Sequence, residues 1–343
     1  MTAPHIWIVS PALAAANNGN WHTASRWARF LRTRYRVTLA QQWPAPDGSD
    51  RPPDLLIALH ARRSAASLAA FRAACPARPT LLLLTGTDLY RDIRGDPAAR
   101  QSLRLAGALA LLQPAGLAEL APALRAKASV IYQSAPQLRP AAGRRRHFDV
   151  CMVGHLRAEK DPATFMRAAA LVRRAGVRLL HIGAALDPAL GRLAAATAAA
   201  TPRYRWLGPM PHAATRQRLK RCQLMALSSH MEGGANVIIE AVRSGVAVLA
   251  SDVSGNRGML GDDYAGYFPA GDAAALAGLI ERCAAEPAFH ARLQAQCAAR
   301  APLFAPAAER AALLQLVDNL LLRGAGQAPP GIPRPHAQNM EDL

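Results

Sequence analysis

Lysine is nearly missing from this chain: Lys127, Lys160 and Lys220 are the only three among 41 basic residues in a length of 343. Arginine therefore carries almost all of the positive charge, and with the abundance of alanine this looks like the codon bias of a GC-rich genome. Acidic residues are also scarce, 23 against 41, which leaves a formal charge of +18. Most of that excess reads as solvated surface; the rest reads as arginines that face an anion, either nucleic acid or a small phosphorylated ligand. Aromatics are only 5% of the residues and the arginines are scattered. The basic stripe interleaved with aromatics that a nucleic-acid groove uses is missing, so no nucleic-acid partner is expected.

Other absences narrow the class further. No apolar run reaches the roughly 18 residues of a membrane span, so neither a transmembrane protein nor a membrane partner is expected. The five cysteines, Cys75, Cys151, Cys222, Cys283 and Cys297, are odd in number and form no CxxC pair. That argues for reduced thiols over a disulfide framework or a zinc site. The N-terminal stretch has no basic region ahead of its apolar residues and turns polar at Asn17. It reads as a first strand, and a cytoplasmic location is expected.

What is present is an alternation of short apolar runs with longer amphipathic ones. His5–Ser10, Asp54–Leu59, Thr80–Leu84, Ala108–Gln113 and Ser129–Tyr132 are predicted strands, with helices over Asn20–Arg34 and Ser64–Ala74. At Ala135–His147 the chain becomes rich in Pro and Arg and loses periodicity, as an interdomain linker would. The rhythm then restarts with strands at Phe148–Val153, Val177–Ile182, Tyr204–Leu207, Leu224–Leu227 and Ala247–Ala250. Helices are predicted between them at Pro162–Arg174, Pro188–Ala199, Pro211–Arg221 and Asn236–Ser244. The expected fold is α/β, two Rossmann-like domains over residues 1–140 and 148–300 that face each other across a cleft. Ligands should lie at the carboxyl ends of the strands. Residues 301–322 are expected to form a helix that packs back on the first domain, and residues 323–343 a disordered tail.

The most informative segment is Ser228–Gly258. A strand ends near Ser228, Glu232-Gly233-Gly234 follow, and a helix begins near Ala235 with Glu240 one to two turns in. Glycines at that junction let backbone N–H groups approach a phosphate, and a carboxylate at the position of Glu240 can accept hydrogen bonds from the vicinal hydroxyls of a ribose. Upstream, Lys160 follows a strand and starts a helix. In a chain with three lysines it stands out as a cation for a departing diphosphate.

Glu232-Gly233-Gly234, Glu240-Ala241 and Ser244–Asp252 resemble the E-x7-E block of glycosyltransferase family 4, whose fold is GT-B. Val153–Lys160 and Trp206-Leu207-Gly208 resemble two other segments of that family. The resemblance implies that Lys160, with Gly154 and His155 beside it, meets the donor diphosphate. It also implies that Glu240 holds the ribose, that Gly233, Gly234, Ala235 and Asn236 offer backbone donors, and that Glu232 lies beside the transferred sugar. His155 stands where the family usually has arginine, so one diphosphate cation is missing or titratable.

In the first half, Asn18-Gly19-Asn20-Trp21-His22, His60-Ala61-Arg62-Arg63 and Thr85-Gly86-Thr87-Asp88 with Arg91 all follow predicted strands and should share one rim. Taken with the second half, these clusters closely resemble the selenosugar synthase family. That resemblance implies sugar transfer from a UDP-sugar, typically UDP-N-acetylglucosamine, to selenophosphate, with inversion. It implies a pathway link to selenophosphate synthetase and selenoneine synthase. Asn18, Gly19, Asn20, Arg62, Arg63, Thr85, Gly86 and Arg91 are then candidates to hold the acceptor anion, and Asp88 to orient a sugar hydroxyl or an arginine. His60 and His22 are candidate acid–base groups, or hydrogen-bonded walls of the pocket. No Asp-x-Asp pair is present, so metal independence and no cofactor are expected. The residues alone leave open an ordinary GT-B enzyme that uses an oxygen acceptor.

Overall fold

The computed structural model describes residues 3–11, 19–45, 51–139 and 146–325. Two parallel sheets organise it. The first is built from β1 His5–Val9, α1 Gly19–Leu31, β2 Arg36–Ala40, β3 Leu55–Leu59, α2 Ala65–Ala74, β4 Thr80–Leu83, α3 Ile93–Gly95, α4 Pro97–Leu105, β5 Ala108–Leu111, α5 Pro122–Arg125 and β6 Ala128–Val130. Its strand order is β2-β1-β3-β4-β5-β6. β1, β3, β4 and β5 are buried along their whole length, which is why they appear as unbroken apolar runs. The sequence reading missed β2, whose residues are only partly covered and which pairs with β1 alone at the sheet edge.

The second sheet comprises β7 Phe148–Val153, α6 Pro162–Leu171, β8 Val177–Ile182, α7 Pro188–Ala200, β9 Tyr204–Trp206, α8 His212–Leu219, β10 Leu224–Leu227, α9 Asn236–Val242, β11 Ala247–Ser251, α10 Ser254–Leu260 and β12 Tyr267–Phe268. The order β12-β11-β10-β7-β8-β9 is that of a doubly wound Rossmann sheet, with its switch point between β7 and β10. In the first sheet the switch falls between β1 and β3. The loops that follow these four strands carry most of the residues singled out from sequence.

Helix starts follow a repeated local rule. Asp96, Asp161 and Asp187 each precede a proline at the first helical position, and each carboxylate accepts the N–H of a residue in that first turn. The side chain satisfies an orphan donor while proline presets φ.

Helices α11 Ala273–Ala285, α12 Pro287–Arg300 and α13 Pro306–Ala325 end the chain. Leu313, Leu314, Val317 and Leu320 of α13 join Ile6, Ile8, Trp27 and Leu31 in the core of the first domain. α13 continues through Ala325, so the first residues of the expected tail are helical; the remainder lies outside the described residues. The start of the expected linker also differs. Gln133, Ser134 and Ala135 are buried, the Ala135 N–H donates to Phe304 O, the Leu138 N–H donates to Arg243 O, and Arg216 and Arg243 donate to the carbonyls of Pro136 and Ala135. Lost periodicity there marks extended chain pinned between the domains. Residues 140–145 lie outside the described residues. All five cysteines are free thiols, and no helix among the described residues is long and apolar enough to cross a membrane.

One buried carboxylate fastens α13. Glu309, 1% exposed, accepts from Arg26 Nε at 2.7 Å, Trp27 Nε1 at 2.9 Å and Ser134 Oγ at 2.5 Å. Glu309→Ala should cost about 3 kcal/mol, because it leaves a guanidinium and an indole N–H buried without their partner. Glu309→Gln should cost less, and urea denaturation of both variants would check the difference.

Candidate active site

The carboxyl ends of the two sheets face a cavity of about 1230 Å³ lined from both sides. Gly19, Asn20, His22, Arg63 and Thr85 line it from the first domain; Gly154, His155, Lys160, Glu232, Gly233, Gly234, Ala235, Asn236 and Glu240 line it from the second. The second group matches the donor residues named from sequence. Asn18 lies outside the described residues.

The loops after β7 and β10 are tied together, as neighbours at a switch point can be. Ser228 Oγ donates to the Lys160 and Asp161 carbonyls, and the His230 N–H donates to Glu159 O. Asp161 itself sits in the left-handed region at φ 41°, an uncommon place for a non-glycine residue. There its side chain caps α6, and Lys160, next to it, turns inward. Lys160 Nζ lies 2.5 Å from Glu232 Oε1, and Ser229 Oγ donates to the same oxygen at 2.6 Å. Glu232 is 8% exposed, so this is a largely desolvated ion pair, a contact that the sequence reading did not foresee.

His155 and Glu240 flank that pair. His155 Nδ1 accepts the Ala184 N–H at 3.0 Å, which leaves Nε2 as the donor of the neutral ring. Burial first, then the charges of Arg157 and Lys160, push His155 below its ordinary pKa. It therefore presents a neutral N–H where the family usually has a cation, while Arg157, also on the cavity wall, supplies charge two residues on. Glu240 Oε1 accepts from His212 Nε2 at 2.6 Å. α9 is only seven residues long, too short for much of a macrodipole.

On the first domain several expected acceptor contacts need correction. Asp88 is fully buried and accepts the backbone N–H groups of Ala61, Thr85 and Gly86 at 2.8–2.9 Å. It organises the two loops and has no oxygen left for a sugar. The Gly86 N–H is consumed in the same network. His60 is 2% exposed and occupies the left-handed region at φ 73°. Its Nδ1 accepts the Arg63 N–H and its Nε2 meets Thr87 Oγ1 at 3.2 Å, so both ring nitrogens point into protein and it forms a wall. Burial above all holds His60 below its ordinary pKa. Arg62 and Arg91 are drawn to Asp92, at 2.9 and 3.0 Å, and neither lines the cavity. Burial raises the Asp92 carboxyl, but the hydrogen bonds from Arg91 and Arg62 outweigh it and the net shift is downward. Structure adds one face that the sequence reading passed over: Ser25, Arg26 and Arg29 of α1, with Arg32 just past its end, line the cavity beside His22. Their spacing of three to four residues was the available signal. Among the described residues no group of three or more His, Cys, Asp or Glu side chains forms a possible metal site.

Residues 137–302 match the family model described as glycosyl transferases, group 1. The match covers the second domain, slightly under half of the chain, and that domain is similar to group 1 glycosyltransferase domains. No curated protein matches this chain in sequence. Among solved structures, Anabaena HepE in complex with UDP and glucose superposes with a TM-score of 0.75 at 16% identity, covering 92% of this chain and 100% of that one. Sucrose-phosphate synthase from Thermosynechococcus elongatus gives 0.76 at 17% identity, covering 93% and 99%. A glycosyltransferase from Rickettsia africae gives 0.73 at 13% identity, covering 94% and 99%. These likenesses span both domains, and the fold is GT-B.

Where the domains touch, Gly233 has no room for a side chain: a Cβ there would lie 2.3 Å from the Thr85 carbonyl oxygen and 2.6 Å from Gly86 Cα. Gly233→Ala should force the loops apart and cost about 1–3 kcal/mol of stability, since overpacking a closed contact displaces backbone; urea denaturation would check it. Circular dichroism should remain that of the wild type.

Proposed function

We propose that this protein is a selenosugar synthase: it transfers a sugar, N-acetylglucosamine in our reading, from a UDP-sugar to selenophosphate. The observation that carries this reading is the charge arrangement of the cavity. Arginines reach it from both domains, and Glu232 and Glu240, the carboxylates lining it among the described residues, are already paired with Lys160 and His212. An oxygen acceptor calls for a base aimed at its hydroxyl. An anionic acceptor whose selenium is already nucleophilic calls for cations instead, and Arg63 with Arg29 and Arg32 offers them.

In this reading Gly154, His155, Lys160 and the backbone of Gly234–Asn236 receive the diphosphate, Glu240 receives the ribose, and Glu232 lies beside the sugar. Selenium forms a bond to the anomeric carbon as the bond from that carbon to the UDP oxygen breaks, and UDP leaves with the electron pair. Lys160 follows the charge that grows on the leaving diphosphate and gives up part of its attraction to Glu232. No metal or cofactor enters the proposal. Reactions that make selenophosphate and that consume a selenosugar would stand on either side of it, in selenoneine biosynthesis.

The binding of UDP, UDP-glucose or glucose by HepE supports the choice of donor. The direct test incubates the protein with UDP-N-acetylglucosamine and selenophosphate. Mass spectrometry should detect a selenium-bearing sugar together with released UDP; UDP release with a hydroxyl acceptor and none with selenophosphate would overturn the acceptor assignment. Lys160→Ala should lower turnover by about a hundredfold or more without unfolding the chain, measured as UDP release against a circular-dichroism control.

A further inference from the structure

The ribose carboxylate of the proposed donor site is not open. His212 of α8 covers Glu240 at 2.6 Å, and from the opposite domain the ring of His22 lies against His212 with centroids 5.2 Å apart and planes tilted by 33°. His212 and Glu240 belong to the second domain and His22 to α1 of the first, so this row of three side chains bridges the cleft. Glu240 is 13% exposed at its side chain while His212 is 51% exposed. The carboxylate is fixed in the wall and the imidazole is the member free to swing away.

We propose that His212 is a donor-displaced gate: it caps Glu240 in the free protein, braced across the cleft by His22, and a nucleotide sugar must move it aside for the ribose hydroxyls to reach the carboxylate. The proposal rests on the donor reading above and adds a positioning residue to it. The carboxylate could accept more than one hydrogen bond, but vicinal hydroxyls that bridge both of its oxygens need Oε1 with the ring moved aside, and the imidazole sits on Oε1 at 2.6 Å. Donor binding thereby also opens a link between the domains, which couples occupancy to their relative movement.

The charges around the gate set the sign of its pH dependence. The hydrogen bond from His212 to Glu240 raises the His212 pKa above its ordinary value, against burial and the nearby Arg216. Burial first, then His212 itself, lower that of His22, with Glu240 opposing and Arg26 adding to the shift. His212 is thus the ring that carries the proton, and a donor that frees it from Glu240 releases that proton in the window between its ordinary and its raised pKa. Binding should strengthen as pH rises through that window. His155, at the diphosphate end of the cavity, works in the opposite sense, since its protonation would favour the anion. The comparison must therefore be made against a variant of His212.

The experiment is calorimetric titration of the full chain with UDP-N-acetylglucosamine, without acceptor, from about pH 5.5 to 8.5. The diphosphate of this donor is esterified at both ends, so imidazoles dominate the titration there. Buffers of different ionisation enthalpy would count the protons released. From the lower to the upper end of that range the affinity of wild type should rise about three- to tenfold more than that of His212→Ala, with net proton release. His212→Ala should bind more tightly than wild type near pH 6 and release fewer protons. His212→Gln, which keeps a neutral donor to Glu240, should lose the proton release and retain part of the competition. Binding that His212→Ala weakens, or leaves unchanged in strength and pH dependence, overturns the gate alone. No donor binding by wild type at any pH overturns the donor reading, and the gate with it.

Discussion

The site depends on a backbone contact that tolerates no side chain. Gly233 meets Thr85 and Gly86 from the opposite domain, and behind the same loop a Cβ on Gly255 would fall 1.8 Å from the Glu232 carbonyl oxygen. The Glu232–Gly234 loop is thus clamped between its own domain and the other one. That clamp fixes Glu232, Glu232 fixes Lys160, and the cavity takes its shape where the two sheets present their carboxyl ends. The glycines read from sequence as openings for a phosphate also have a second duty, to let two domains approach to van der Waals distance.

Scarcity of carboxylates shapes the electrostatics. Of 23 acidic residues, Asp96, Asp161, Asp187 and Asp272 cap helices. Asp88 holds loop amides, Asp92 holds Arg62 and Arg91, and Glu309 fastens α13. Asp149 and Asp252 hold Arg178 and Arg257, and among the described residues the carboxylates lining the cavity, Glu232 and Glu240, are already engaged with Lys160 and His212. A cleft with this balance favours anions through its summed field. Most of the +18 is still spread over a solvated arginine surface, and Lys160, one of three lysines, proved the more telling basic residue.

The sheets were largely legible because burial on both faces writes itself into a strand as an unbroken apolar run. Phe148–Val153, Val177–Ile182 and Leu224–Leu227 have the same limits in sequence and structure. The exceptions have physical causes: β2 is a half-covered edge, β12 has only two residues, and the Pro-rich crossing at 135 is held by hydrogen bonds to Arg216 and Arg243, which no local pattern announces. Two Rossmann-like domains follow from this rhythm, since each strand and its helix can be covered in few other ways.

The sequence by itself determined which loops meet. Residues that directly follow parallel strands must gather at one sheet edge, so the loops bearing Lys160, Glu232 and Thr85 were destined for the same cleft. Tertiary structure alone decided which side chains in those loops face it. Arg62 and Arg91 turn to Asp92, His60 and Asp88 turn into the protein, and His212 crosses to Glu240 while the α1 stripe turns inward. Arg62, His60, Asp88 and His212 are each held by a partner at least 27 residues away in the chain, whereas Arg91 is held by its own neighbour Asp92. Spacing along the sequence carries a loop to its place, and only the surrounding charges and contacts choose the direction of its side chains.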